Sequence, residues 1–211
     1  MMHLLQHYPL LFEPGDRMTR EDVLARWEQM PRLKSVELID GMVYMPSPVS
    51  MEHGRRDHQM QVLIGAYAAR AGNCEALSNA TWLMLESAPQ PDLALCLLPA
   101  HGGRTQVREG FASGSPELVV EITKSSRTYD LGPKLALYQR AAVSEYIAVL
   151  LEEQRIEWRK WKDGSFVLLA PDTDGILQSE VFPGLWLNER AFWDGDVSGM
   201  LRTLDAGLAA R

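Results

Sequence analysis

Apolar positions recur at helical spacing in one long stretch of this chain and at strand spacing in several shorter ones. In MEHGRRDHQMQVLIGAYAARA, residues 51–71, Met60, Leu63, Ile64 and Tyr67 form the stripe of a helix face. Ser50 is suited to cap its start and Gly72-Asn73 its end. An earlier helix is predicted over TREDVLARWEQM, where Thr19 is the cap and Asp22 gives a variant of the capping box. Between the two helices, SVELIDGMVYM holds two β-rich runs joined by Asp40-Gly41, a two-residue hairpin turn, and Pro46 and Pro48 end it.

Farther along, the short apolar runs TWLMLE and PDLALCLL flank a break at Pro89-Gln90-Pro91. HGGRTQVREGFASGS, residues 101–115, is polar and glycine-rich, which predicts a surface loop. A buried strand over 117–123 leads through a serine-rich turn to a helix from about Asp130 to Ala142. SEYIAVLLEE reads as another buried strand, IEWRKWKDGSFVLL as a hairpin turning at Asp163-Gly164, and the tail as a short helix near 189–207. Strands separated by two substantial helices predict an α/β class, a mixed β-sheet flanked by helices with additional β-hairpins. No repeat or low-complexity linker divides the chain. We expect a single domain over 1–211, its core at about 18–150 and a C-terminal hairpin and tail at 151–211.

Composition narrows the function classes. The chain is 46% hydrophobic and 23% charged, as globular proteins are, with a net charge of −7. That balance argues against a broad electrostatic grip on DNA or an anionic membrane, which needs clustered lysine and arginine. A local basic groove is still compatible with it. Cys74 and Cys96 stand far apart and form no metal or redox motif, so a reducing, cytoplasmic home is expected. The first residues lack the basic region of a signal peptide, and no run reaches membrane-spanning length. There is no HExxH, paired CxxC, P-loop or GxSxG. His53 and His58 lie about 140° apart around their helix and do not converge.

The candidate chemistry begins with Glu121, which interrupts the apolar run of the strand over 117–123. Alternation places Val119, Glu121 and Thr123 on one face and Leu118, Val120 and Ile122 on the other. One reading is an edge strand with a solvated charge. The other is a buried carboxylate, which requires a cation. Asp92 poses the same problem at the head of the run LALCLL. Two carboxylates on neighbouring strands suit a divalent metal such as Mg²⁺, which prefers oxygen ligands and keeps several waters. A structural ion pair with Lys134 is the competing explanation. RIEWRKWK, residues 155–162, interleaves basic residues with Trp158 and Trp161. It suits either contact with a nucleic-acid backbone, as do Arg104 and Arg108, or tryptophan packing beneath a protected edge strand.

Pro91-Asp92 followed by Glu121 on a later strand resembles the PD-(D/E)XK nuclease superfamily. VELIDG, the helix around His53, QPDLAL, PELVVEI, YDLGPKLALYQRA, VSEYIAV and SEVFPGLWL resemble, in that order, the Uma-two family of restriction-endonuclease-like proteins, over about residues 18–190. The resemblance implies a restriction-endonuclease-like fold and Mg²⁺-dependent, or Mn²⁺-dependent, hydrolysis of DNA. It implies Asp92, Glu121 and the Ile122 carbonyl as metal ligands. The lysine of the superfamily pattern, two residues beyond the glutamate, is here Thr123; Lys124 should face away. Lys134 on the following helix takes its place, with Glu37 assisting and His53 contacting substrate. A homodimer is implied by analogy, because cutting a duplex favours two sites. Two other functions stay open: a non-catalytic module that binds nucleic acid or protein, and a hydrolase of small phosphoesters.

Overall fold

The computed structural model describes residues 12–45, 48–123 and 130–211. Its centre is a six-stranded mixed sheet built from β3 (Cys74–Ser78), β5 (Leu93–Leu97), β8 (Leu118–Thr123), β9 (Glu145–Leu150), β10 (Arg155–Lys162) and β11 (Ser165–Leu168). The strand order is β11-β10-β9-β8-β5-β3, antiparallel throughout except for the parallel pair β8 and β9. Glu121 therefore lies on an interior strand that is buried along its whole length, which overturns the edge-strand reading.

The two faces of β8 feed two different cores. Leu118, Val120 and Ile122 pack with Met60, Leu63, Ile64 and Tyr67 of helix α2 (Met51–Ala71). Val119 packs with Leu137 and Tyr138 of helix α3 (Leu135–Arg140), with Tyr146 and with Ile39. Helix α2 has the predicted bounds: Ser50 accepts a hydrogen bond from the His53 amide and Gly72 closes the helix in the left-handed region. Helix α1 (Arg20–Glu28) starts at Thr19, whose hydroxyl accepts from the Asp22 amide. The first hairpin, β1 (Glu37–Ile39) and β2 (Met42–Tyr44), turns at Asp40 and Gly41, both at positive φ, as a right-twisted two-residue turn requires. Asp163 and Gly164 repeat that geometry between β10 and β11.

Several expectations need correction. Residues 101–115 are not a plain loop. They contain β6 (Gln106–Arg108) and β7 (Phe111–Ser113), a hairpin that joins β4 (Trp82–Leu83) in a three-stranded sheet. β6 is exposed at all three positions, so hydropathy offers no alternation from which to read it. The helix expected from Asp130 starts instead as a wide π turn over Asp130–Lys134 containing Pro133, whose ring nitrogen cannot donate, before α3. The tail helix is two helices, α4 (Glu189–Asp194) and α5 (Val197–Ala209), separated at Gly195 in the left-handed region. A small sheet of β12 (Ile176–Gln178) and β13 (Trp186–Asn188) precedes them. Residues of this tail, Phe192, Met200 and Leu204, share the core beneath α2. Cys74 and Cys96 are buried free thiols, and burial pushes their pKa values up to about 11 and about 12. Among the described residues, no helix is long and apolar enough to cross a membrane.

Candidate active site

The register of β5 against β8 pairs Leu93 with Val120, which sets Asp92, just before β5, beside Glu121 and Ile122. The Ile122 amide donates to Asp92 Oδ2 at 2.7 Å. The other carboxylate oxygen, Oδ1, lies 3.6 Å from His53 Nε2, an attraction when the imidazole is protonated. His53 belongs to the first turn of α2, so the helix start and the strand junction meet at Asp92. One turn farther, Asp57 has its carboxyl pushed up, first by burial and then by the Asp92 charge. Asp57 Oδ2 accepts from Gln61 at 2.8 Å, whereas Oδ1 is buried without a hydrogen bond.

Glu121 answers its own burial with a cation. Lys134 Nζ stands 2.6 Å from Glu121 Oε1 and 3.0 Å from Glu37 Oε1. The lysine and Glu121 side chains are 3% and 4% exposed, so these are buried pairs and not surface ones. Glu37 is anchored in turn by the Gln90 amide, which donates to Oε1 at 2.6 Å. The residue just before Pro91-Asp92 thereby ties the first hairpin to the sheet. The Tyr138 hydroxyl, four residues beyond Lys134, donates to the same Glu121 oxygen at 2.7 Å. Burial, and then the neighbouring Glu121 charge, holds the phenol well above its ordinary pKa, so it stays a donor.

The structure thus draws Asp92, Glu121, Lys134, Glu37 and His53 into one neighbourhood from five separate segments of the chain. Thr123 is buried on the Glu121 side of the strand and cannot replace a cation, and Lys124 lies outside the described residues. Tyr138 and Asp57 were not singled out from the sequence. Each lies one helical turn from a residue that was, and that spacing is the only signal the sequence offers.

Two other candidates separate from this cluster. Arg104 binds Glu117, the Ala142 carbonyl and Ser144, and Arg108 pairs with Glu109. In β10, Arg155 and Arg159 both bind Glu157, Lys160 binds Glu180, and buried Trp158 donates to Glu145. The edge of that side of the sheet is β11, so the edge-protection part of the reading of β10 is overturned, whereas Trp158 packs in the core as its other part expects. A cleft of about 660 Å³ between α1 and the β6–β7 hairpin is lined by Arg20, Leu24, Trp27, Leu83, Arg108 and Phe111 among others, and by none of the five candidate residues.

As a donor set, Asp92 and Glu121 offer hard oxygen ligands side by side, which fits Mg²⁺ or Mn²⁺ with the remaining positions filled by water. Among the described residues, no three His, Cys, Asp or Glu side chains are gathered into a group that could hold a metal ion by themselves.

The fold is shared with a crystallised protein of Anabaena variabilis ATCC 29413 described as a "putative nuclease". The TM-score is 0.66 at 12% identity, covering 82% of this chain and 97% of that one. No curated protein matches the chain. The Uma2 family model, described as "Putative restriction endonuclease", spans residues 21–190, and the chain belongs to that family.

Proposed function

We propose that this chain is a metal-dependent endonuclease that hydrolyses phosphodiester bonds in DNA. The observation that carries the reading is the meeting of two carboxylates from paired strands, Asp92 and Glu121, with a buried lysine against one of them. Asp92, Glu121 and the Ile122 carbonyl would hold Mg²⁺ or Mn²⁺. When bound, the ion supplies charge against the negative charge that develops on the phosphoryl oxygens. Lys134 orients the attacking water and offsets negative charge near Glu121. Glu37 holds Lys134 aimed at the site through the 3.0 Å contact. His53, 3.6 Å from Asp92, contacts the substrate. Two sites in a homodimer would serve the two strands of a duplex, and the reduced cysteines suit a cytoplasmic enzyme.

A second reading is favoured by one observation: Lys134 is already balanced by two acids, as in a purely structural ion pair. On that reading the fold serves binding alone. Calorimetric titration of Mg²⁺ and Mn²⁺ into wild type, D92A and E121A, with plasmid nicking on the same samples, separates the two. Micromolar binding lost in both variants, with metal-dependent nicking by wild type alone, is the expected outcome. Absence of binding in wild type, or binding unchanged by either substitution, refutes the nuclease assignment. A small aryl phosphodiester hydrolysed in preference to DNA would assign the site to small phosphoesters.

A further inference from the structure

Tyr138 is fully buried, and its ring is packed on Tyr146 with centroids 5.6 Å apart. That packing leaves the hydroxyl little freedom, and it is spent on Glu121 Oε1 at 2.7 Å. Lys134 Nζ reaches the same oxygen at 2.6 Å from one helical turn earlier. Two donors on one carboxylate oxygen fix the rotation of the carboxylate about its last bond as well as its position. The lysine accounts for the charge of Glu121. The phenol adds none, so its hydrogen bond contributes direction.

We propose that Tyr138 is a positioning residue that sets the orientation in which Glu121 meets a divalent metal. The inference rests on the metal-site reading above. It extends that reading to a side chain that touches neither metal nor substrate and acts through Glu121. Outer hydrogen-bond partners of metal-binding carboxylates commonly govern affinity by about 10- to 100-fold. Tyr138→Phe keeps the ring and its contacts with Tyr146 while deleting the hydroxyl.

The test is calorimetric Mn²⁺ binding to wild type, Y138F and E121A, with metal-free thermal unfolding of each and nicking measured across a Mn²⁺ series. The expected result is a Kd about tenfold or more weaker in Y138F, and a nicking rate that recovers as Mn²⁺ is raised. A group needed for the chemical step itself would show no such recovery. A Y138F chain with wild-type Kd overturns the proposal and leaves the bond as packing. A Y138F chain that does not fold overturns it too, because the hydroxyl would then serve the fold. If wild type binds no Mn²⁺, the underlying site assignment fails together with the proposal. Wild-type binding that E121A abolishes but Y138F leaves intact refutes the proposal alone.

Discussion

Replacing Lys134 with methionine preserves much of the side-chain volume and removes the cation that two buried acids share. The nitrogen lies 2.6 Å from Glu121 and 3.0 Å from Glu37, and the three side chains are 3%, 4% and 15% exposed, so water substitutes poorly for it. Removing one member of a buried pair costs about 3–5 kcal/mol. Proton uptake sets a ceiling on the loss. The protein escapes two facing uncompensated charges by protonating one carboxyl group, and for a glutamate of ordinary pKa near 4.3 that costs about 3.7 kcal/mol at pH 7. At pH 5 the same uptake costs only about 1 kcal/mol. A carboxyl whose folded pKa is raised stabilises the native state most below its unfolded value and loses that advantage as pH rises, so the sign is fixed. Urea unfolding of metal-free K134M should show a loss of about 3–4 kcal/mol at pH 7 that shrinks to about 1 kcal/mol at pH 5. An equal loss at both pH values, or a loss below about 1 kcal/mol at pH 7, would refute the reasoning and mean that the lysine does not compensate these acids.

Two further outcomes are expected. Among the described residues no cation pairs with the buried Glu145, which is held by Trp158, Ser179 and the amides of Glu180 and Val181. Burial raises its carboxyl above the usual range, so its contribution to stability falls as pH rises through the folded value; urea midpoints of E145Q between about pH 4 and about pH 7 should lack that slope. Gly207 of α5 leaves no room for a side chain: an added Cβ would sit 2.5 Å from the Gly184 carbonyl and 2.7 Å from the Trp186 ring. G207A should therefore destabilise by about 1–3 kcal/mol in chemical denaturation, and an unchanged midpoint would show that the α5–β13 contact yields.

What was legible in the sequence follows from which signals are local. The bounds of α2 were readable because its caps and its apolar stripe agree. Both hairpin turns were readable because Asp-Gly tolerates the positive φ they require. Asp92 and Glu121 stood out because a carboxylate against an apolar run is locally anomalous. The β6–β7 hairpin was invisible because Gln106, Val107 and Arg108 are all exposed, which leaves no alternation to read. The break at Gly195 was passed over because one glycine inside a helical pattern is also tolerated without a break. Tyr138 was missed for the opposite reason. A tyrosine among Leu135, Leu137 and aliphatic neighbours looks like core, and it is core; only the tertiary position of its hydroxyl, brought over β8, gives it a second partner.

The parallel pairing of β8 and β9 also bears on the order in which the chain assembles. Antiparallel neighbours can be joined by a tight turn, but a parallel pair requires a crossover, and this crossover contains Lys134 and Tyr138. Closing that loop precedes any reward from the contacts it makes. Without that crossover, β8 would hold Glu121 in the sheet with neither the Lys134 ammonium group nor the Tyr138 hydroxyl against it. The same segment that makes the parallel pairing possible is therefore the one that carries the compensating ammonium group to Glu121.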